Sequence, residues 1–369
     1  MALAFAGAAC LFAFSWMYLV ARFDYAGNWT AFYRTGARTH LPPLAARENL
    51  YILKGESSGG YDGQFYRLIA QDPFLLHGTA EWIDGPRLRY RRILMPLMAW
   101  LAAAGQPLTA TYTYIGVVIL FLGLGVYWSC RLADSAGRPT WWGLAFVLAP
   151  AAFLSIDRLT VDIGLAALTV AFIFYLRTGC FWKLYLTLAF APLAKETGLL
   201  LLGGFILWAV FEGHGRKAAL MATAGIPAAA WFAYVQTHTL PDGTAWIQAP
   251  LSAVIHGMLH PELYPLRRWF ITPFDYLAWL GMILAIALSL ARWRRSNAFA
   301  YPALLFAVLA SVIDFNVWQE VEGYGRVFTP LLILLPFVFP EWRALLPVAM
   351  MLPRALVFPA AETLKIFLH

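Results

Sequence analysis

Residues 108–130 read LTATYTYIGVVILFLGLGVYWSC and contain no Asp, Glu, Lys or Arg. A run of roughly 18 or more apolar residues is long enough to cross a bilayer as a helix. Residues 3–21, 139–156 and 218–237 are equally free of charge. Shorter runs of the same character occupy 163–176, 197–211, 276–291, 296–313 and 327–340. The 369-residue chain is 61% hydrophobic and 13% charged, against about 25% charged in soluble domains. These patterns predict an all-α, polytopic transmembrane helical bundle of about ten to twelve segments, forming a single integral-membrane domain over 1–369.

Residues 1–21 lack a basic flank, and their apolar run exceeds a signal peptide's core of about 7–15 residues, so a retained first helix is expected. Cys10, Cys130 and Cys180 lie in or beside hydrophobic runs at no metal-binding spacing. They predict neither a disulfide framework nor a zinc site. The formal charge of +7 suits basic cytoplasmic ends better than a nucleic-acid partner.

From residue 108 the loops alternate in charge. Arg131 with Arg138, Arg177 with Lys183, Arg216 with Lys217, Arg292 with Arg294 and Arg295, and Arg343 form a basic set. Asp157 with Asp162, Glu196, Asp242 with Glu262, and Asp314 with Glu320 and Glu322 form an acidic set. Short basic loops stay cytoplasmic, so the acidic set is expected outside. The first loop, 22–92, is too long for that rule, and its side turns on ILMPLMAWLAAAG (93–105). This segment is short for a crossing. The favoured reading is that it dips in and returns, leaving the loop outside; a tilted or extended crossing would invert the assignment. The patches FYRLIA, and WIQAPLSAVIHGML in a second loop at 238–273, are expected as helices lying along the membrane surface.

Five polar stretches interrupt this greasy chain on the expected outer side. In GGYDGQFYRLI (59–69), Asp62 stands among glycines; Tyr61, Phe65 and Tyr66 supply flat surfaces of the kind that stack on sugar rings, and Gln64 adds a donor and an acceptor. Asp62 is either an N-cap for the helix that follows or a working acid. RLRYRRILMP (87–96) sets arginines at headgroup depth, where they either snorkel or clamp a lipid phosphate; Arg91 and Arg92 are the nearest to the apolar segment. SIDRLTVDIG (155–164) places Asp157, Arg158 and Asp162 at a helix boundary. The two acids share a face only if the helix breaks between them. APLAKETGLLLL (191–202) interrupts a span with Lys195 and Glu196, which as neighbours on a helix need different partners. The segment DFNVWQEVEGYGRVFTP (314–330) offers Glu320, Glu322, Tyr324 and Arg326. Ionisable groups inside membrane segments are costly and are read as functional by default.

Together these features resemble the GT-C superfamily of integral-membrane glycosyltransferases, most closely bacterial relatives of the mannosyltransferases of GPI-anchor assembly. The likeness rests on the long first loop with its acid, the RYRRILMPLMAW entry, DRLTVDIG and the KET tripeptide. The resemblance implies sugar transfer from a polyprenyl-phosphate carrier to a lipid, glycan or protein hydroxyl. Such an enzyme would sit in a bacterial inner membrane, acting at its outer face. It implies Asp62 as general base, with Arg91, Arg92, Arg158, Lys195 and Arg326 for the phosphate. Tyr61, Gln64, Tyr66, Asp157, Asp162, Glu196, Glu320, Glu322 and Tyr324 would meet the substrates. Many members carry paired acids in that loop, whereas this chain has Asp62 alone, leaving metal use open. The alternative is a transporter or lipid-linked-glycan flippase whose pathway the same groups would line.

Overall fold

The computed structural model describes residues 1–53, 59–241, 247–260, 272–291, 297–318, 321–339 and 341–368. The described residues are helical, with only two isolated β-bridges between extended segments. In chain order the helices are α1 (Ala2–Asp24), α2 (Gly63–Gln71), α3 (Pro86–Tyr90), α4 (Leu94–Ala102), α5 (Pro107–Ser135) and α6 (Pro150–Arg158). There follow α7 (Asp162–Thr178), α8 (Phe181–Ala194), α9 (Leu199–Phe211), α10 (Gly215–Ala222), α11 (Ile226–His238) and α12 (Ser252–Leu259). The last six are α13 (Thr272–Ala291), α14 (Ala300–Val312), α15 (Phe315–Trp318), α16 (Val321–Val327), α17 (Thr329–Val338) and α18 (Leu346–Leu368).

α1 shows which solvent surrounds the bundle. It buries Ala2, Ala6, Ala9, Ala13 and Met17, at helical spacing, and packs on α5. It turns Leu3, Leu11, Phe12, Phe14 and Phe23 outward. Small residues inward and large apolar residues outward suit a hydrocarbon medium, where close backbone packing replaces the hydrophobic drive between helices. The chain is a polytopic helical membrane protein.

Four helices, Ala2–Asp24, Pro107–Ser135, Gly215–His238 and Pro273–Ala291, are long and apolar enough to span. A fifth span forms if the 3-10 helix Thr140–Leu148 and α6, bent by 58°, count together. The other segments expected from hydropathy are shorter apolar helices of 10–17 residues, such as Phe181–Ala194 and Thr329–Val338. Proline and inserted charge explain the shortening. Pro150 begins α6, Pro192 and Pro336 lie within α8 and α17, and Lys195 ends α8 in extended backbone. Proline removes a helical donor and crowds the preceding turn.

The first loop folds onto the start of α5. Glu48 pairs with Arg67 and accepts hydrogen bonds from Gln71 Nε2 and Thr111 Oγ1, each at 2.7 Å. Tyr33 donates to the Thr111 carbonyl. The expectation that FYRLIA lies along the membrane surface is corrected here: every residue of α2 is buried, and the helix packs on α4 and α5. Arg67 and Gln71 find partners inside, so α2 has no polar face to offer water. α4 has nine residues and leans on α5, with Thr113 Oγ1 donating to the Ala99 carbonyl at 2.7 Å. Both of its ends meet first-loop neighbours, Arg92 at Tyr66 and the following α5 turn at Glu48. Of the second loop, α12 is described as a helix.

Candidate functional site

The starts of α2, α4, α5, α7 and α9 meet the ends of α6, α8 and α16, and there the polar insertions converge. Asp62 directly precedes α2 but does not cap it; its side chain makes no bond to the helix's N–H groups. It faces two guanidinium groups instead. Arg89 Nη1 lies 2.9 Å from Oδ1, and Arg326 Nη2 lies 2.5 Å from Oδ2. Burial pushes the Asp62 carboxyl up, but Arg326, Arg89 and Arg92 outweigh it and hold the group below the usual carboxylate range. The glycines beside it let the backbone pass closely. Gly60 has φ +76°, the left-handed region natural to glycine. A Cβ on Gly63 would stand 2.3 Å from the Arg158 carbonyl oxygen.

The network continues from Arg326, whose Nη1 also lies 3.5 Å from Asp162 Oδ2. Lys195 Nζ reaches Asp162 Oδ1 at 2.5 Å. Glu196 takes a two-pronged contact from Arg92 at 2.7 and 2.8 Å, and Arg92 Nη1 donates to the Tyr66 hydroxyl at 2.7 Å. The adjacent Lys195 and Glu196 thus have different partners. Tyr61 forms a flat platform: the guanidinium of Arg158 lies 4.4 Å and that of Arg326 5.0 Å from its ring centre. Asp157 is held by Arg158 at 3.2 Å and by Arg34 at 2.7 Å.

The α6–α7 break makes this possible. Leu159 ends α6 in the left-handed region, φ 48° and ψ 45°, and Asp162 opens α7. The Ser155 hydroxyl accepts a hydrogen bond from the Ile163 N–H at 3.1 Å, satisfying a donor at the new helix start.

Other expected site residues lie differently. Gln64 is buried and works on the loop: Oε1 accepts from Thr39 Oγ1 and the Gly36 N–H, and Nε2 donates to the Gly59 carbonyl. Tyr324 is buried and stacked on Trp318 with ring centres 5.0 Å apart. Arg91 lies over the Phe232 ring at 5.4 Å. Glu320 and the side chain of Glu322 lie outside the described residues. Arg34 and Arg89 were missing from the expected set. Arg89 sits within the RLRYRR run, but spacing alone does not separate it from Arg87, which donates to the Thr239 carbonyl at the end of α11. Arg34 carries no sequence signal that distinguishes it from the other first-loop arginines.

Chemically, this is an anion-seeking cluster with an acid at its centre. Among the described residues, the six cations Arg34, Arg89, Arg92, Arg158, Lys195 and Arg326 exceed by one the carboxylates paired with them, Asp62, Asp84, Asp157, Asp162 and Glu196. Buried cations without matching anions are costly and favour an anionic guest. The donor set does not suit a divalent metal: each of these carboxylates is already held by a guanidinium or ammonium, and no group of three His, Cys, Asp or Glu converges among the described residues. An apolar cavity of about 520 Å³ lies further along the bundle: Thr329 and Pro150 line it, and so do Ala136 and Arg177 at the far ends of α5 and α7. Thr329 is one helical turn from Arg326 and donates to the Gly325 carbonyl.

These features define a helical membrane protein with a buried ionic centre at one end of its bundle. No family model matches the chain, and no curated protein or solved structure is found to be similar to it.

Proposed function

We propose that the protein is an inverting glycosyltransferase of GT-C type. It moves a sugar from a polyprenyl-phosphate carrier to an acceptor hydroxyl at the outer face of a bacterial inner membrane. The observation that carries this reading is Asp62 held between Arg89 and Arg326 inside a cluster where cations exceed carboxylates among the described residues. A phosphodiester donor brings the missing negative charge, and guanidinium forks match its oxygens. An apolar cavity that reaches Thr329, one helical turn from Arg326, leaves room for a greasy tail on the same donor.

In the proposed reaction the acceptor oxygen attacks the anomeric carbon from the face opposite the phosphate. The new carbon–oxygen bond forms as the bond to the phosphate oxygen breaks. The bonding pair leaves with the polyprenyl phosphate, and the acceptor proton passes to Asp62. Arg89, Arg92 and Arg326 stabilise charge growing on the leaving phosphate. Asp62 is a poor base while both arginines grip it. A donor phosphate drawing on the same guanidiniums loosens that grip and raises its basicity as substrate arrives.

The test is purified protein in lipid nanodiscs with radiolabelled polyprenyl-phosphate sugars. Wild-type protein is expected to turn the donor over. Asp62→Asn should lose at least 100-fold in transfer, within the range typical of a lost general base, while still folding and binding donor. Wild-type rates in that variant would remove Asp62 from the mechanism. Substrate flux across vesicles without turnover would favour the transporter or flippase.

A further inference from the structure

A second, different cleft opens beside Asp62. Its volume is about 340 Å³, near the lower end of the range for small-molecule sites, roughly 300–1,000 Å³. Arg38, Thr39, His40, Glu81, Trp82 and Asp84 line it, with Phe65 at its inner wall. One guanidinium separates this cleft from the acid. Arg89 Nη2 lies 2.9 Å from Asp84 Oδ1 on the cleft side, while its Nη1 lies 2.9 Å from Asp62 Oδ1. Arg89 itself rests on the Phe65 ring at 4.2 Å.

The lining differs in kind from the cation-rich cluster. Glu81 and Asp84 stand beside Arg38 in the lining, and Arg89 pairs with Asp84 from behind, so the cleft has no excess of positive charge for an anionic ligand to neutralise. It offers carboxylate acceptors, a guanidinium donor, a hydroxyl and an imidazole, together with the flat indole of Trp82. Many short-range donors and acceptors around one aromatic face suit a neutral ring bearing several hydroxyls and an apolar C–H face. A phosphate would find Glu81 and Asp84 repulsive.

We propose that this cleft binds a neutral hexose ring, and that this ring is the terminal sugar of the acceptor. The site holds the acceptor on the water side of Arg89 while the donor phosphate lies on the lipid side. The acceptor role rests on the transferase reading; the binding of a neutral sugar does not.

The experiment uses full-length protein in nanodiscs and a panel of neutral methyl hexopyranosides, read by saturation-transfer NMR. At least one glycoside is expected to bind. Trp82→Ala and the surface variant Glu81→Gln should each weaken it at least 10-fold, whereas Trp342→Phe, at an exposed site elsewhere, should not. Binding retained in Trp82→Phe would tie the contact to the flat ring. Failure of every neutral glycoside to bind, or equal binding in Trp82→Ala, would overturn the inference. Preferential binding of hexose phosphates would overturn it as well. The two readings fail separately. Transfer activity whose acceptor KM is unmoved by Trp82→Ala removes the acceptor site and keeps the transferase. Glycoside binding without turnover of any donor keeps the cleft and removes the transferase.

Discussion

Asp62 is one carboxylate shared by two arginines that arrive from positions 89 and 326. Its acidity makes a testable statement about stability. Folding lowers this pKa, so its contribution is complete above the unfolded carboxylate value of about 3.9 and is lost as pH falls through the lower, folded value. The gap in Tm between wild type and Asp62→Asn should stay constant from neutrality to about pH 5 and narrow only below about pH 4. A gap that closes near neutrality would contradict the depressed pKa. Truncation to Asp62→Ala strands both arginines and should cost about 1.5–3 kcal/mol, measured by denaturation in detergent. The importance of Asp62 was visible in the sequence because an acid among glycines beside an apolar segment is expensive without a purpose. Its partners were only partly visible. Arg326 stood out as a charge before an apolar run, but Arg34 sits among many first-loop arginines and is selected only by where Asp157 comes to rest.

At the scale of elements, three joints aim the charges: the entry to α2, the short α4, and the break between α6 and α7. Gly63 is where the entry to α2 touches the α6–α7 break, through the Arg158 carbonyl. Gly63→Ala should push α2 away from α6 and cost about 1–3 kcal/mol, with a larger proportional loss of transfer than of Tm stability. Unchanged activity and Tm in that variant would show that the contact tolerates a methyl group. The shortness of α4 was legible in the sequence, because thirteen residues between Arg92 and Gln106 leave little room for a crossing helix. The burial of α2 was not legible. FYRLIA carries an arginine and precedes Gln71, which in isolation suggests a wet face; only Glu48 and Thr111, far off in the chain, make that face a buried one.

For the whole molecule, helical class and membrane setting followed from charge-free run length, because a bilayer leaves the backbone few other ways to satisfy its hydrogen bonds. The number of full-length spans did not follow, since hydropathy does not register how proline and buried charge shorten a helix. The short basic loops expected on the cytoplasmic side give a direct topology test. Cys180 is exposed in the α7–α8 turn, between Arg177 and Lys183, whereas Cys10 and Cys130 are partly or fully buried. A membrane-impermeant maleimide should label Cys180 only after permeabilisation, and a cysteine placed at His40 should label in intact cells. The reverse pattern would put the ionic centre on the cytoplasmic side and defeat the proposed use of a lipid-carried donor outside.

Leu159 holds a backbone conformation that leucine does not choose, at φ 48° and with its side chain fully buried. The strain is worth roughly 1–2 kcal/mol, set against the local hydrogen bonds of Ser155 with Thr160 and the Ile163 N–H. A peptide covering 150–178, taken out of its surroundings and placed in micelles, should straighten into one uninterrupted rod. Asp157 and Asp162 would then point about 140° apart around its axis, observable as unbroken helical NOEs through residue 160. The folded arrangement, Asp157 on Arg34 and Arg158 and Asp162 on Lys195 and Arg326, is thus absent from the newly made segment and arises only when its neighbours close around it.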